Sequence, residues 1–335
     1  MIKEATEKLS KRENITKDET RAVFDEIMGG KASHDEMKAF LISLAEKGET
    51  TEEIIAAAGV MRKKMKKLAL PYETVLDTCG TGGGARSFNV STIVAIVAAG
   101  CGAKVAKHGN RSYTSHCGSA DILERLGVKI DIEPSKVALS IEEAGVGFLF
   151  APLYHSSMKH VSGVRREIKR RTIFNILGPL SNPAGANRQL IGVFDVALTE
   201  VFAGVLKDLG SKRAFIVHGL DGFDEVSISD GTRISELVAG EIKTYVLMPE
   251  DFGIERAKKE DVACKTIEEN LAVVKSVLSG ERSVHKRMVL VNAALALMAS
   301  GNAATLKEGV KVASDCIDSG NAREVLNTLI KVTNG

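Results

Sequence analysis

A glycine-rich loop constrains the fold of this chain more than any other feature. Four glycines lie between residues 80 and 84, after a short, largely apolar run at 74–76 and before an apolar block at 93–99. A strand, a glycine loop and a helix fit this order. The arrangement places bare backbone N–H groups at a helix N-terminus, where unpaired donors and the helix dipole stabilise an anion. The stretch therefore predicts a phosphate-binding loop.

The residues that follow the glycines sharpen this prediction. Asn89, Ser91 and Thr92 are good capping residues that can add side-chain donors to the same anion. The loop does not end in Gly-Lys-Ser/Thr, and the strand end lacks a Gly-x-Gly-x-x-Gly fingerprint. The predicted anion is therefore neither a P-loop nucleotide nor NAD. A loop that only turns the chain remains the alternative.

The charge balance argues against nucleic-acid and membrane partners. The 335 residues include 45 basic and 43 acidic side chains, a formal net charge of +2, so no overall field attracts a polyanion. The charged N-terminus does not resemble a signal peptide, and the longest apolar runs are too short for a bilayer. Five cysteines without a Cys-x-x-Cys pair indicate neither zinc nor disulfides. We predict a cytoplasmic protein in a reducing compartment.

Residues 1–70 predict helices only. Ser33 and Glu36 form a capping-box pattern, apolar residues then recur at helical spacing, and Gly48 ends the segment. Thr50 or Thr51 begins another helix that runs into the basic residues 62–67, which fit a solvated helix end better than a nucleic-acid patch. Helices this short require tertiary packing. We therefore predict a small helical domain that packs on the rest of the chain.

From residue 74 onward, strand and helix patterns alternate, which is typical of a mainly parallel sheet covered on both faces. Strands are predicted at 75–77, 104–107, 128–132, 147–150, 190–194, 214–218, 226–228, 233–237 and 242–247. Residues 155–177 form a predicted helical insertion, and an all-helical C-terminus begins at Thr266. The predicted fold class is α/β, with a small N-terminal helical domain at 1–70, completed by the insertion 155–183, and a larger α/β domain at 74–335.

A second polar cluster, residues 107–115, directly follows a predicted strand, and Ser119 lies at the start of the next helix. Because parallel strands end at one edge of a sheet, this cluster and the glycine loop are predicted to face one crevice. Lys107 supplies a charge, Asn110 an amide and the hydroxyls neutral donors, a set that suits a phosphate or a sugar. The alternative is a polar surface turn.

A third cluster closes the strand predicted at 214–218 with Asp221, Asp224 and Glu225. Carboxylates beside a phosphate site suit Mg²⁺, which combines a few protein oxygens with water and the substrate's own phosphates. An Asp-Gly turn that binds no metal is the alternative.

The fourth group consists of cations and histidines. Five cations within residues 165–171 repel one another on a lone helix, which indicates either an anionic partner or a solvated face: Arg165, Arg166, Lys169, Arg170 and Arg171. His108, His155 and His218 are candidate bases, although such histidines more often serve as hydrogen-bonding fixtures. We assign no residue as a general base.

Together these segments resemble the anthranilate phosphoribosyltransferase family of tryptophan biosynthesis across nearly the whole chain. The motifs that carry the resemblance lie at 77–92, 107–112, 118–121, 147–152, 164–167, 171–175, 178–180 and 224–225. The resemblance implies a homodimer joined through the helical domains. It also implies that the amine of anthranilate displaces pyrophosphate from carbon 1 of phosphoribosyl pyrophosphate (PRPP), with Mg²⁺ as cofactor and two ions accompanying PRPP.

The resemblance also implies residue roles. Binding of PRPP falls to Gly80, Gly83, Gly84, Ser87, Asn89, Val90, Ser91, Thr92, Lys107, His108, Gly109, Asn110, Arg111, Ser112, Tyr113, Thr114, Ser115 and Ser119. Binding of anthranilate falls to Gly80, Asn110 and Arg165, with His108 and His155 lining its path. The metal ligands are Ser91, Asp224 and Glu225. The chain departs from the family pattern at Gly84. Family members commonly have an Asp after Gly-Thr-Gly-Gly, in a loop one residue longer, so this chain lacks the carboxylate that would contact PRPP or its metal there.

Two alternatives fit less well. A pyrimidine nucleoside phosphorylase-like enzyme resembles the same fold, but Asp224, Glu225 and Arg165 argue against it. A non-catalytic relative that binds nucleic acid is disfavoured by the near-neutral charge. For the phosphoribosyl transfer we expect electrostatic catalysis that neutralises the departing pyrophosphate. Mg²⁺ is expected to act there as a Lewis acid. An aromatic amine already has a free lone pair, so the reaction requires no strong general base.

Overall fold

The computed structural model describes residues 1–85, 87–111 and 117–335. Its N-terminal lobe consists of four helices, α1 (Ile2–Ser10), α2 (Lys17–Met28), α3 (His34–Lys47) and α4 (Thr51–Lys64). Three of them begin with a reciprocal capping box, formed by Thr16 with Glu19, Ser33 with Glu36, and Thr50 with Glu53. The capping box predicted at Ser33 is therefore confirmed, and Thr50 rather than Thr51 caps α4.

A seven-stranded sheet forms the centre of the larger lobe. Its strands are β1 (Leu76–Gly80), β2 (Val105–Gly109), β3 (Val146–Phe150), β4 (Arg188–Gly192), β5 (Arg213–Gly219), β6 (Thr232–Val238) and β7 (Glu241–Leu247). Their order is β3-β2-β1-β4-β5-β6-β7. The first five run parallel, and the β5–β6 and β6–β7 pairs are antiparallel. The prediction of a helical domain joined to an α/β domain with a mainly parallel sheet is confirmed.

The remaining helices connect the strands or form the C-terminus. They are α5 (Val90–Gly100), α6 (Ser119–Arg125), α7 (Pro134–Ala144), α8 (Ala151–Tyr154), α9 (Lys159–Ile168), α10 (Phe174–Leu177), α11 (Leu198–Asp208), α12 (Ile267–Leu278), α13 (Val284–Ser300), α14 (Leu306–Asp318) and α15 (Asn321–Asn334). Short 3₁₀ turns lie at Ser156–Met158, Pro249–Phe252 and Lys259–Val262. The predicted helical insertion thus comprises a 3₁₀ turn, α9 and α10. No helix among the described residues is long and apolar enough to cross a bilayer.

Two large apolar cores cover the two faces of the sheet. One contains α5 and α13, which are apolar along most of their length and contact strand residues such as Val105 and Phe215. The other joins Ile191 of β4 and Ile216 of β5 to α11 and to the N-terminal helices. Helices α9 and α10 enter this second core through residues such as Val164 and Phe174. The N-terminal helices therefore share a core with the sheet, because four short helices bury too little apolar surface by themselves.

Two segments predicted as strands, 128–132 and 226–228, are not strands. Val128 and Ile130 are buried and alternate with exposed residues, as in a strand. In both segments, backbone N–H groups donate to side chains and not to the backbone of a neighbouring strand. The Lys129 N–H donates to Thr333 Oγ1 (3.2 Å), and the Ser227 N–H donates to Thr232 Oγ1 (2.9 Å). Alternating burial alone does not distinguish an extended loop from a strand, because a strand also requires a neighbouring strand.

The strand order places a crevice at the end of β1. Chain connections run from β1 outward to β2 and β3, and β4 and β5 then lie on its other side, so the order reverses beside β1. Ligands of open α/β sheets bind outside the carboxyl ends of the strands at such a point. Strands β1 and β2 pair through Leu76 and Val105 only. Beyond that pair they diverge, and polar side chains fill the space between them.

Candidate active site

The glycine loop is fastened to the end of β4. The Thr81 N–H donates to the Gly192 carbonyl (2.9 Å), and Thr81 Oγ1 accepts from the Phe194 N–H (3.0 Å). Gly82 and Gly83 have φ values of +64° and +88°, in the left-handed region that favours glycine. The loop therefore has a defined path with its backbone exposed toward the crevice, as a phosphate-binding loop requires.

Helix α5 begins where this loop ends. Its N-cap residue, Asn89, makes no capping hydrogen bond, because its side chain pairs with Asn270 of α12. Asn270 Nδ2 donates to Asn89 Oδ1 (2.7 Å), and Asn270 Oδ1 accepts from the Asn89 N–H (3.1 Å). In the first turn, the buried Thr92 Oγ1 has no hydrogen-bond partner among the described residues. Thr92 does not line the crevice, whereas Ser91 in the same turn does.

Lys107 reaches across the gap between β2 and β1. Its Nζ donates to the Thr78 carbonyl (2.5 Å) and to Ser91 Oγ (3.2 Å) at the start of α5. Burial lowers the pKa of Lys107, and the nearby Asp77 carboxylate opposes that shift. The lysine thus directs a positive charge toward the first turn of α5, where the predicted phosphate site lies.

Asp77 of β1 provides the negative charge beneath that lysine. The carboxylate is fully buried; Oδ1 accepts from the His108 N–H (3.1 Å) and Oδ2 from Asn182 Nδ2 (2.8 Å). Asn182 also donates to the Ala106 carbonyl (2.8 Å), so one amide links β1 to β2. Burial raises the pKa of Asp77, while the charge of Lys107 acts in the opposite direction.

His108 and His155 form a buried pair beside this cluster. His108 Nδ1 lies 3.2 Å from the Gly178 carbonyl, which can only accept, so we assign the proton to Nδ1. His108 Nε2 then accepts from His155 Nε2–H at 3.2 Å. Burial lowers the pKa of His108 to about 3 and that of His155 to about 4. Both rings are neutral at pH 7 and are weak bases, as expected for hydrogen-bonding fixtures.

Asp224 and Glu225 lie in the turn after β5, opposite Lys107 across the end of β1. A side chain at Gly84 would collide with Asp224, because a Cβ there would lie 2.7 Å from the Asp224 backbone nitrogen. Glu225 Oε1 accepts from Ser87 Oγ (3.0 Å). Burial raises the pKa of Asp224, and burial together with the charge of Asp224 raises that of Glu225 well above its usual range.

This carboxylate pair fits a divalent cation that the substrate helps to bind. Glu225 Oε2 is buried and has no hydrogen-bond partner among the described residues, so ionisation of this carboxyl is unfavourable until a cation binds. Nowhere in the described chain do three or more His, Cys, Asp or Glu side chains gather into a possible metal site. Two protein carboxylates completed by phosphate oxygens and water are the arrangement that Mg²⁺ prefers.

The predicted cation group divides among different partners. Arg165 lines the crevice with its guanidinium 5.7 Å from the centre of the Phe174 ring. Arg171 donates to the Gly83 carbonyl (2.7 Å) and stacks on Phe194 at 3.9 Å, so it clamps the glycine loop. Arg170 pairs instead with Glu46 of α3 (3.0 Å). The group is therefore neither one anion site nor one solvated face.

The second polar cluster is described only in part. Ser112, Tyr113, Thr114 and Ser115, which were predicted to bind PRPP, lie outside the described residues. Arg111 lines the crevice, but its guanidinium pairs with Asp121 (3.0 Å) and Glu124 (2.8 Å) of α6. Ser119 Oγ lies 3.4 Å from the Asn110 carbonyl, which ties the start of α6 to the end of β2. Arg111 thus supports α6 in this structure.

Most of the groups predicted for the site line one cavity of about 900 Å³ between the helical lobe and the ends of the strands. Thr92, which was predicted to bind PRPP, does not line it, and neither does the buried Asp77. Met61 of α4 and Met158 contribute apolar surface from the helical side. The remaining described site residues that line the cavity are Gly80, Gly83, Gly84, Ser87, Asn89, Val90, Ser91, Lys107, His108, Gly109, Asn110, Ser119, His155, Arg165, Asp224 and Glu225. Asn270, Asn292 and the clamping role of Arg171 were not predicted from the sequence. The only signal for the two asparagines is their position within apolar stretches of α12 and α13.

Family models match both lobes. Residues 3–65 match the helical bundle domain of a glycosyl transferase family, and residues 72–323 match the a/b domain of the same family. Among curated proteins, anthranilate phosphoribosyltransferase of Desulfosudis oleivorans is 48% identical over 335 residues, 99% of each chain. The enzyme of the same name from Persephonella marina is 48% identical over 338 residues, 100% of each chain.

Solved structures of similar proteins cover the chain equally well. Anthranilate phosphoribosyltransferase from Thermus thermophilus superimposes with a TM-score of 0.92 at 38% identity, covering 99% of each chain. The enzyme from Saccharomyces cerevisiae, in complex with PRPP and Mg, gives a TM-score of 0.90 at 30% identity, over 99% of this chain and 98% of that one.

Proposed function

We propose an activity for this chain from one premise: it belongs to the glycosyl transferase family, and its full-length relatives are anthranilate phosphoribosyltransferases. The proposed reaction transfers the phosphoribosyl group of PRPP to the amine of anthranilate and releases pyrophosphate, the second step of tryptophan synthesis from chorismate. One observation carries the proposal: a glycine loop, a buried lysine and a carboxylate pair with one unpartnered oxygen line the same cavity.

The PRPP half of the site uses backbone and charge. The exposed backbone of the glycine loop and the start of α5 offer N–H donors, and Lys107 adds a cation held against Ser91. We propose that the residues predicted from the sequence to bind PRPP do so. Residues 112–115 belong to this proposal although they lie outside the described residues. These groups would stabilise the negative charge that accumulates on departing pyrophosphate while holding the ribose carbon in line with the amine.

Ser91, Asp224 and Glu225 are the residues we propose for Mg²⁺, with two ions accompanying PRPP. Support comes from the orphaned Glu225 Oε2 and from the Saccharomyces cerevisiae structure with PRPP and Mg. When bound, Mg²⁺ supplies Lewis-acid stabilisation of the pyrophosphate oxygens. Glu225 is held for this role by Ser87, and Asp224 by the glycines packed around it.

Anthranilate is proposed to bind on the helical side, against Gly80, Asn110 and Arg165, with His108 and His155 lining its path. Arg165 supplies a positive charge suited to the substrate's carboxylate. The two histidines are neutral, so they add hydrogen-bonding capacity without a second charge. Their lowered pKa values make them weak bases at pH 7, which agrees with an aromatic amine that attacks through its own free lone pair.

Organisation of the chain in the cell is also part of the proposal. We propose a helical domain formed by residues 1–70 with 155–183, and an α/β domain at 74–335; α9 and α10 support this by packing in the same core as α1–α4.

We further propose a homodimer joined through the helical domains and a cytoplasmic location. Five cysteines, all free thiols, fit a reducing compartment. Light scattering of the purified chain tests the dimer.

The decisive assay mixes the protein with anthranilate, PRPP and Mg²⁺ and follows the loss of anthranilate fluorescence. We expect a loss that requires all three additions and that releases one pyrophosphate per anthranilate consumed. No loss at any Mg²⁺ concentration would refute the proposed function. Phosphorolysis of uridine and thymidine in phosphate buffer is the control arm, and turnover there in place of anthranilate loss would support the phosphorylase-like alternative.

A further inference from the structure

Asn292 is a buried amide in an otherwise apolar helix. It lies within α13 among residues such as Val291 and Ala293, and its side chain is 2% exposed. An amide there is costly unless it is hydrogen-bonded. Its Oδ1 accepts from the Val226 N–H (2.9 Å), and its Nδ2 donates to the Val226 carbonyl (3.0 Å). Nδ2 also donates to the Met288 carbonyl (2.9 Å) one turn earlier in the helix.

Val226 is the residue directly after Glu225. It belongs to the segment between β5 and β6 that has no strand pairing. Asn292 therefore takes the place of a neighbouring strand, because one amide binds both backbone polar groups of Val226. Some other contacts of this turn, such as Ser227 Oγ to Asp221 Oδ2 (2.5 Å), lie within the turn, and others join it to the glycine loop, such as the Ala85 N–H to the Gly222 carbonyl (2.7 Å). The amide of Asn292 joins the turn to the rigid helix behind the sheet.

We propose that Asn292 is a positioning residue that holds Asp224 and Glu225 together for the metal; this inference rests on the proposed function. Two carboxylates of like charge repel each other when no cation lies between them. Glu225 Oε2 has no hydrogen-bond partner among the described residues, so ionisation of both carboxyls, the form that binds a metal, favours rotation of the turn away from the crevice. A double hydrogen bond to the adjacent backbone opposes that rotation and fixes the pair before PRPP binds.

A matched control exists in the same sheet. Asn187 also binds backbone through both ends of its amide: Oδ1 accepts from the Val75 N–H (3.2 Å) and Nδ2 donates to the Glu73 carbonyl (2.7 Å). It lies at the amino end of the parallel strands, away from the crevice. Loss of the Asn187 amide is expected to remove two backbone hydrogen bonds without moving Asp224 or Glu225.

The test compares Asn292→Leu with Asn187→Leu in the full-length protein. Binding of Mn²⁺ is measured by electron paramagnetic resonance in the presence of PRPP and the absence of anthranilate, and folding is checked by circular dichroism. We expect Asn292→Leu to weaken Mn²⁺ binding at least about 10-fold, the scale of outer-shell contacts to a metal site. Asn187→Leu is expected to leave it unchanged. Equal Mn²⁺ affinities in a folded Asn292→Leu protein and the wild type would overturn the inference.

A second variant, Asn292→Asp, covers the case in which Asn292→Leu does not fold. The carboxylate retains an acceptor for the Val226 N–H but faces the Val226 carbonyl with an oxygen. Positioning predicts weaker Mn²⁺ binding, whereas the added negative charge alone predicts tighter binding; unchanged or tighter binding refutes the inference. If the wild type itself binds no Mn²⁺ with PRPP, the proposed metal role fails. If the wild type binds Mn²⁺ and the Asn292 variants bind it equally well, the metal role stands and only the inference about Asn292 fails.

Discussion

Two groups of carboxylates flank the crevice, and their surroundings differ. Asp77 is fully buried, yet both of its oxygens accept hydrogen bonds and Lys107 lies close enough to influence its pKa. Asp224 and Glu225 are half-buried, the charge of Asp224 disfavours ionisation of Glu225, and one oxygen of Glu225 has no partner among the described residues. The carboxylate of Asp77 therefore has protein partners for both oxygens, whereas the Asp224–Glu225 pair requires a cation.

The difference separates a scaffold from a binding site. A buried charge with built-in partners stabilises the arrangement of its neighbours, and here it fixes the ends of β1 and β2. A buried charge without partners costs free energy in the unliganded protein, and this cost is recovered when a ligand binds. The same substitution, a carboxylate changed to an amide, should therefore have opposite effects on stability at the two places.

The largest expected effect is at Asp77. In Asp77→Asn, an amide donor would face either the His108 N–H or Asn182 Nδ2, and Lys107 would lose its nearby negative charge. We expect the free energy of unfolding to fall by about 3 kcal/mol, measured by urea denaturation. The exposed Asp131→Asn provides the control and is expected to change it by less than about 0.5 kcal/mol. A loss at Asp77 no larger than that at Asp131 would contradict the scaffold role.

Lys107→Ala tests whether the lysine beside Asp77 also binds PRPP. Loss of a charged hydrogen bond worth about 1.5 to 3 kcal/mol predicts a roughly 10- to 150-fold fall in kcat/KM for PRPP. Lys104→Ala is the matched control. Lys104 lies directly before β2, at the end of the strand away from the crevice, and its Nζ donates to the Ile141 and Glu142 carbonyls. Equal kcat/KM values for wild type and Lys107→Ala would remove Lys107 from the PRPP site.

Acidification tests the neutral histidines beside Asp77. Burial lowers the pKa of His155 to about 4, so between about pH 6.5 and 4 the unfolded chain binds a proton that the folded chain does not. Stability therefore falls as the pH falls through this window, by on the order of 2 kcal/mol for this histidine between pH 7 and pH 5. In His155→Gln, the difference between the unfolding free energies at pH 7 and at pH 5 should be smaller than in the wild type by that amount. A wild-type pH dependence in the variant would show that folding does not lower the pKa of His155.

The smallest stability effect is expected at Glu225, with the opposite sign. Glu225→Gln keeps an acceptor for Ser87 Oγ and removes a carboxyl whose ionisation folding disfavours, so the metal-free protein should gain about 1 kcal/mol. The same variant should require more Mg²⁺ for half-maximal activity. Thermal unfolding without metal and an Mg²⁺ titration of the fluorescence assay measure the two effects. Lower stability without metal would mean that the carboxylate pair is not strained.

Much of the fold followed from local patterns. Caps such as Ser33 with Glu36, and short apolar runs ended by glycine or polar residues, predicted the helical lobe and the five parallel strands correctly. The predicted strands at 128–132 and 226–228 were wrong for a common reason. Local sequence encodes which residues are buried, but pairing at Lys129 and Ser227 depends on Thr333 and Thr232, whose position only the folded chain sets.

The sequence alone determined the kinds of groups at the crevice: a glycine loop, a lysine at a strand end and two adjacent carboxylates, all at predicted turns. Only the tertiary structure decided which charges are compensated. Asn182 and Asn270, each distant in sequence from its partner, bind Asp77 and Asn89, while Arg170 turns away to Glu46. The physical reason is that desolvation and hydrogen bonding depend on what surrounds a group in space, and those neighbours come from helices and loops more than 100 residues away along the chain.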